Sequence, residues 1–297
     1  MAPVPPAACV VPTVRATAPP DRVRLVRDGA SGVEAIRARF AGHAYDLHRH
    51  DDWLVGVTDS GVQDFHCRGA RRRSTSGRVI LIEPEEAHDG RAGEAGGFAY
   101  RMLYLPRAWL ETGLAGASRG GPGFRANLCD DASLGAAIRV AHAALVGPAE
   151  RLARDVALDR VLHLLRPHLG QPGGRGTAAG RDALIARRAR ERLNDEIADD
   201  IGADALARAA GAADRFRLAR AFRAAYGTSP HAYLMQVRLL RARRLLAGGE
   251  RPAAVATACG FADQSHLGRR FRRAYGVTPA AYRACCTGVP DGAAGIG

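Results

Sequence analysis

A stretch of 23 residues occurs twice in this chain, and the duplication limits the fold more than any other feature. GAADRFRLARAFRAAYGTSPHAY begins at Gly211 and GFADQSHLGRRFRRAYGVTPAAY at Gly260, an offset of 49. Gly, Asp, Leu, Arg, Phe, Tyr, Gly, Pro and Tyr recur in register. Upstream, ALARAAG (205–211) faces AVATACG (254–260). A solenoid needs roughly three or more repeats. The reading is therefore two copies of one small helical unit.

Each copy reads as a short helix, a tight turn and a longer basic helix. In the first, Leu206, Ala209 and Ala210 supply the buried side of the short helix. Gly211 ends it, where a positive φ strains other residues. Asp214 stands where an N-cap satisfies free amides of the next helix. Leu218, Phe222 and Ala225 then fall on one face. The second copy repeats this with Val255, Cys259, Gly260, Asp263, Leu267, Phe271 and Ala274. This is helix-turn-helix logic, in which the second helix presents polar side chains to base edges. The first copy offers Arg215, Arg217 and Arg220, and the second Gln264, Ser265, His266 and Arg269. Arg pairs bidentately with guanine and Gln with adenine. Arg223, Arg272 and Arg273, further along, suit phosphate contacts. The competing reading is a plain helical bundle with a charged face, and the duplicated Gly, capping Asp and Arg speak against it. Between the copies, 230–247 reads as one helix. Leu234, Val237, Leu240 and Leu245 pack on both units, and Arg238, Arg241, Arg243 and Arg244 line the other side. It would hold two readers about one DNA turn, ~10 bp, apart.

Charge follows the same division. Every basic residue is Arg, and the formal net charge is +13. Residues 205–284 hold 15 Arg against Asp214, Glu250 and Asp263, so 15 − 3 = +12 falls in that segment. A basic domain beside a near-neutral one is the footprint of a nucleic-acid binder, although a solvated basic face is the alternative. Six cysteines (Cys9, Cys67, Cys129, Cys259, Cys285 and Cys286) form no Cys-x-x-Cys pair, which argues against a zinc ribbon. They read as incidental thiols of a reducing compartment, with a redox or metal-sensing role for Cys285–Cys286 as the alternative. No apolar run approaches the ~18 residues of a membrane span. A soluble, cytoplasmic protein is expected.

The first half reads differently. Residues 1–20 form a Pro-broken tail expected to be disordered. Residues 21–110 carry short apolar runs, such as 53–57 and 79–82, bounded by Gly, Pro and Asp. These suggest a β-sandwich or small barrel. Residues 131–168 change to helical periodicity, with Leu134, Ile138, Ala141 and Leu145, then Leu152, Val156, Val161, Leu162 and Leu165. Two amphipathic helices follow from this. Gly-rich 169–180 is expected to be a flexible linker, 181–284 the helical domain and 285–297 a second tail. P-loop and Gly-x-Gly-x-x-Gly motifs are absent from the sequence.

From about Ala183 to Arg283 the chain resembles the AraC/XylS family of bacterial transcription regulators. The most specific stretch is GFADQSHLGRRFRRAYGVTPAAYR (260–283), and the first copy matches as LARAAG, FRLARAFRAAYGTSPHAYL and RLLRARRLL. The resemblance implies a reader of a bipartite double-stranded DNA site. Its base-reading positions fall on Phe216, Ala219 and Arg220, and on Gln264, Ser265 and Arg269. Ala219 is too short to hydrogen-bond a base, which shifts weight to Arg215, Arg217 and Arg220. The first half is similar to the family's cupin-type β-barrel sensor. His48-Arg49-His50 followed by Gly61 resembles a first cupin motif, and 77–84 followed by His88 a second. The two helices match the place where family members form homodimers. RNA polymerase is a further candidate partner, and the sequence leaves activator and repressor roles both open.

Two readings of the histidines stand. His48, His50, Trp53 and His88 can line a pocket for a small-molecule effector. Alternatively, His48, His50 and His88 hold a metal, as in a cupin enzyme or metal sensor fused to a DNA-binding domain. Cupin enzymes usually add a Glu shortly after the paired His, and 51–55 (DDWLV) has none. The expectation is therefore an effector pocket without metal or cofactor, in a regulator that is not an enzyme. The fold expected is multidomain: a small cupin-like β-barrel, two α-helices, and an all-α domain with two helix-turn-helix units.

Overall fold

The structure, a computed structural model, describes residues 21–42, 45–114, 123–170 and 180–287. The expected tail 1–20, and most of the expected linker and second tail, lie outside the described residues.

Short alternating apolar runs build the N-terminal sheet. Its strands are β1 (Arg22–Arg27), β2 (Glu34–Phe40), β3 (Tyr45–His48), β4 (Trp53–Cys67), β5 (Ala70–Thr75), β6 (Val79–Ile82), β7 (His88–Ala92) and β8 (Phe98–Leu105). After α1 (Arg107–Gly113) come the two-residue strands β9 (Gly123–Phe124) and β10 (Leu128–Cys129). All pairings are antiparallel, in the order β1-β2-β8-β4-β6-β10. β4 is 15 residues long and serves two layers. Its first part pairs with β6 and β8, and its second with β5 and β7, while β7 also pairs with β3. The turn-over point is an irregularity at Thr58/Ser60 followed by Gly61 at φ +73°. A Cβ on Gly61 would lie 2.0 Å from the Gly97 carbonyl oxygen, so only glycine lets the two backbones meet there.

Side-chain alternation gives the sheet two buried faces. One face carries Ile36, Ala38, Phe40, Leu54, Ile80, Ile82, Tyr100, Met102 and Tyr104 into the interior of the curled sheet. The other carries Val33, Ala35, Trp53, Val55, Val57, Val79, Leu81, Leu103 and Leu105 against α2 (Ala132–Val146) and α3 (Arg151–Leu165). Asp131 caps α2 by accepting from the Leu134 amide at 2.9 Å. Val140, Leu152 and Val156 remain exposed on the outer side of this pair. Leu169–Gly170, inside the expected linker, form β11 and pair with β9.

The C-terminal domain is helical: α4 (Arg181–Asp195), α5 (Ala203–Ala210), α6 (Arg215–Tyr226), α7 (Pro230–Ala247), α8 (Pro252–Ala258), α9 (Gln264–Tyr275) and α10 (Pro279–Thr287). α5–α6 and α8–α9 are the two repeat copies. Both capping aspartates act as expected: Asp214 accepts from the Arg217 amide at 2.7 Å and Asp263 from the His266 amide at 2.6 Å. Gly211 and Gly260 take left-handed φ values of +74° and +72°. Each copy has its own core, around Leu218 and Phe222 in one and Leu267 and Phe271 in the other. α7 enters both, through Tyr233 and Leu234 at one end and Leu239, Ala242 and Leu246 at the other.

Four expectations need correction. Ala209 and Ala225 are exposed, and Ala207 and Ala221 are buried instead. Helical spacing alone did not fix which side of α5 and of α6 is buried. α10 runs on through Cys285 and Cys286, because Cys286 packs on the second core and the Cys285 Sγ–H reaches the Leu25 carbonyl at 3.4 Å. The arginines of α7 do not form a free face. Arg238 and Arg243 are buried, Arg238 on the carbonyls of Ile197 and Asp199. Among the described residues, no helix is long and apolar enough to cross a membrane.

Candidate nucleic-acid interface and effector site

The two copies differ in what lies in front of them. On α6, Arg215, Phe216 and Arg220 are exposed, with the Arg215 guanidinium 5.1 Å from the Phe216 ring centroid. Phe216 is 62 % exposed. Arg217 is half-buried and pairs with Asp182 of α4 at 2.9 Å, so one expected reading arginine is held back against its own domain. Ala219 is half-buried.

On α9, Gln264, Ser265 and Arg269 are exposed, and His266 packs its ring edge-on to Phe261. Here part of the helix faces the N-terminal domain. His266, Arg269, Arg270, Arg272 and Arg273 line one wall of a cleft of about 800 Å³, whose other wall is Asp21, Val23 and Phe40 of the N-terminal domain. Arg273 closes one end on Asp46 at 2.9 Å. Ala274 and Tyr275, at the end of α9, are buried, whereas Ala225 in the first copy is exposed. The duplicated helices thus have unequal surroundings.

The contact between domains is built on charge. Arg243 donates to Glu34 at 2.7 Å and Asp52 at 2.8 Å, and its guanidinium lies over the rings of Tyr104, Tyr275 and Tyr282. The Tyr282 hydroxyl donates to the other Glu34 oxygen at 2.7 Å. Arg244 grips Asp51 with two bonds of 2.7 and 2.8 Å, and Arg49 reaches back to Gln236 at 2.6 Å. Although burial opposes its charge, Glu34, Tyr282 and Asp52 hold the Arg243 guanidinium well above its ordinary pKa. Sequence reasoning missed this joint. Its signal was present in the Asp51-Asp52 pair beside the histidines and in the row of arginines on α7.

His48, His50 and His88 do come together. His48 and His88 are directly opposite in the β3–β7 pairing. Ring centroids are 4.4 Å apart for His48–His88, 4.8 Å for His48–His50 and 5.3 Å for His50–His88. One nitrogen from each lies within 4.8 Å of the others, and all three side chains are buried. Burial depresses all three pKa values, and the neighbouring positive groups add to this for His48 and His50, so the rings are neutral near pH 7. The Nδ1 of His48 meets the Asp46 carbonyl at 2.7 Å and that of His88 the Glu86 carbonyl at 2.9 Å. A carbonyl only accepts, so both Nδ1 atoms carry the proton and each Nε2 keeps its lone pair. Both ring nitrogens of His50 lack a hydrogen-bond partner among the described residues. Tyr275 of α9 closes the cluster, with ring centroids 5.3 Å from His50 and 5.7 Å from His48.

Trp53 does not belong to this site. It packs edge-on against Phe124 at 5.0 Å in the core under α2 and α3. The reason is parity: Leu54 points into the curled sheet, so its neighbour Trp53 points out of it.

A curled antiparallel sheet with a polar cluster inside, joined to two capped helix-turn-helix units, defines a ligand-responsive, DNA-binding transcription regulator. Comparison with known proteins gives the same division. Residues 31–165 match the AraC-like ligand binding domain, and residues 206–284 match a helix-turn-helix domain. The chain belongs to the AraC-type transcription regulators. It is similar to the uncharacterized HTH-type transcriptional regulator YbfI of Bacillus subtilis, 23 % identical over 222 residues, which are 74 % of this chain and 80 % of that one. Among solved structures it shares the fold of ToxT from Vibrio cholerae O395, at 13 % identity and TM-score 0.51, over 86 % of this chain and 99 % of that one. Unsaturated fatty acid bound ToxT from Vibrio cholerae strain SCE256 aligns at 12 % identity and TM-score 0.53, over 93 % of this chain and 99 % of that one.

Proposed function

We propose that this chain reads a bipartite DNA site through Arg215, Phe216, Arg217 and Arg220 in one half and Gln264, Ser265, His266 and Arg269 in the other. It does so as a cytoplasmic homodimer, joined through the outer faces of α2 and α3, and its target promoters respond through contact with RNA polymerase. The protein works by binding and not by catalysis. An effector bound in the first domain, facing His48, His50 and His88, shifts the balance between two arrangements of the DNA-binding half. An effector can do that only by binding the two arrangements with different affinity. ToxT, which shares this fold, binds an unsaturated fatty acid, and that supports a ligand-responsive chain of this architecture.

The observation that carries the proposal is the inequality of the two readers. α6 is open, whereas His266 and Arg269 of α9 line a cleft against the first domain. A recognition helix must lay its reading end in the major groove, so full engagement of both readers requires the joint at Arg243, Arg244 and Arg273 to open.

The test is selection of bound sites from random duplex DNA with the full chain and with residues 181–287. A motif in two blocks about one helical turn, ~10 bp, apart for the shorter piece, and a weaker or single-block motif for the full chain, is the expected result. Binding without any enriched motif, vanishing as salt rises, would leave only a charge-driven binder.

A further inference from the structure

We propose that His48, His50 and His88 form a binding site for a single divalent transition-metal ion of the zinc class, closed from the DNA-binding half by Tyr275. The proposal rests on the reading of the first domain as the sensing half, and it names the chemistry sensed. It departs from the sequence expectation of a metal-free pocket.

Geometry comes first. Nitrogens held ~2.1 Å from a tetrahedral ion stand about 3.4 Å apart. Those of the three histidines already lie within 4.8 Å of one another, a gap that small rotations of the imidazoles close. His48 and His88 sit opposite each other on paired strands, so the backbone fixes two of the three donors.

Protonation is also set. The Asp46 and Glu86 carbonyls hold the Nδ1 protons of His48 and His88. That leaves the two Nε2 lone pairs available, which is the usual outer-sphere support of metal-bound histidine. His50 supplies the independent observation. It is 1 % exposed and neither ring nitrogen has a hydrogen-bond partner among the described residues. Burying a polar ring with both nitrogens unsatisfied is costly, and an ion at the centre of the cluster removes part of that cost.

Size separates an ion from an organic effector. The cavity that His48 and His88 line with Tyr45, Gln63, Tyr104 and Tyr275 holds about 30 Å³, and the His50 ring lies outside that lining, 4.8 Å from the His48 ring. That volume is room for one water-sized occupant, whereas organic ligands take pockets of roughly 300–1,000 Å³. The positive field of Arg243 at these rings is offset by its own carboxylate partners. The nearby Arg243 is paired with both Glu34 and Asp52, so that trio carries 1 − 2 = −1. Three neutral imidazoles and one water make a donor set suited to zinc and its neighbours and poorly suited to magnesium or calcium. Because Tyr275 belongs to α9, an ion seated here touches the wall that the second reader leans on.

The experiment uses the full chain, stripped with a chelator and then titrated with Zn²⁺ by calorimetry and with Co²⁺ by absorbance. One equivalent per chain is expected, with visible Co²⁺ bands and without the near-ultraviolet bands of thiolate ligation. His50→Phe keeps the ring volume and removes the nitrogens. It should weaken binding on the order of 100-fold. His66→Ala, an exposed histidine on β4, should leave binding unchanged. Failure to take up either metal, thiolate bands from Cys67, or equal loss in the His66→Ala control would overturn the site. If His50→Phe does not fold, the stoichiometry and spectrum of the unmutated chain still decide. A chain that selects a DNA motif but takes up no metal overturns the ion site alone. A chain that takes up one ion but selects no motif supports the ion site and removes the regulatory reading.

Discussion

Arg243 of α7 donates to Glu34 of β2 at 2.7 Å, and both side chains are buried where the two domains meet. Asp52 takes a second bond from the same guanidinium, and three tyrosine rings surround it. Removing one partner from a buried pair leaves an uncompensated charge, at a cost of ~3–5 kcal/mol. Each domain has its own core, so Arg243→Ala should release the joint before it unfolds either half. The expected outcome is tighter binding of the full chain to its bipartite site, approaching that of residues 181–287. Fluorescence anisotropy on the selected site measures this, and unchanged affinity would mean the joint does not restrain α9.

Arg269 stands on the exposed turn of α9, one position in each copy having the same Arg. Arg269→Ala should relax specificity at one base pair by ~1–3 kcal/mol. Competition between the selected site and its single-base variants reads this directly. An equal loss on random DNA would assign the side chain to phosphate instead.

Leu152 and Val156 lie one helical turn apart on α3 and are 72 % and 60 % exposed, with Val140 exposed on α2. Apolar side chains clustered on one face mark a contact surface. Replacing Leu152 and Val156 by Asp together should convert a dimer to a monomer in analytical ultracentrifugation. A wild-type chain that sediments as a monomer at micromolar concentration would remove the dimer from the proposal.

His142 of α2 is buried, and desolvation, with Arg101 and Arg37 nearby, pushes its pKa down from 6.5 to about 4. The unfolded chain therefore takes up a proton near pH 6.5 that the folded chain refuses until about pH 4. Stability is fully present above the higher value and falls as pH drops across that window. Urea unfolding of wild type and His142→Gln at pH 7.0 and 5.0 isolates the effect: the wild type should lose more stability on acidification than the variant. Equal losses would show that another group carries the slope.

The repeat made the C-terminal domain legible almost residue by residue, because capping Asp, left-handed Gly and core Leu–Phe pairs are local rules that tertiary context does not override. Asp214, Asp263, Gly211 and Gly260 all do what their spacing implies. The histidine cluster was legible in its three histidines but not in Trp53. Trp53 looked like a pocket residue because it follows the histidines closely, yet strand parity turns it to the opposite face. The joint between domains was illegible for a different reason. Glu34 and Arg243 are 209 positions apart, and a buried ion pair leaves no local pattern. Tyr275 was likewise read as part of a repeat, and only its place against His48 and His50 distinguishes it from its counterpart Tyr226.

Because α7 is a single rod embedded in both cores, the rotational phase of the two readers is written in its length. One added residue would translate the second unit by about 1.5 Å and swing it by roughly 100° around the helix axis. Its side chains would then point at a different flank of the double helix. Drift in operator geometry can therefore be followed by this protein only in near-whole helical turns, and the tempo of the one helix is locked to that of the other.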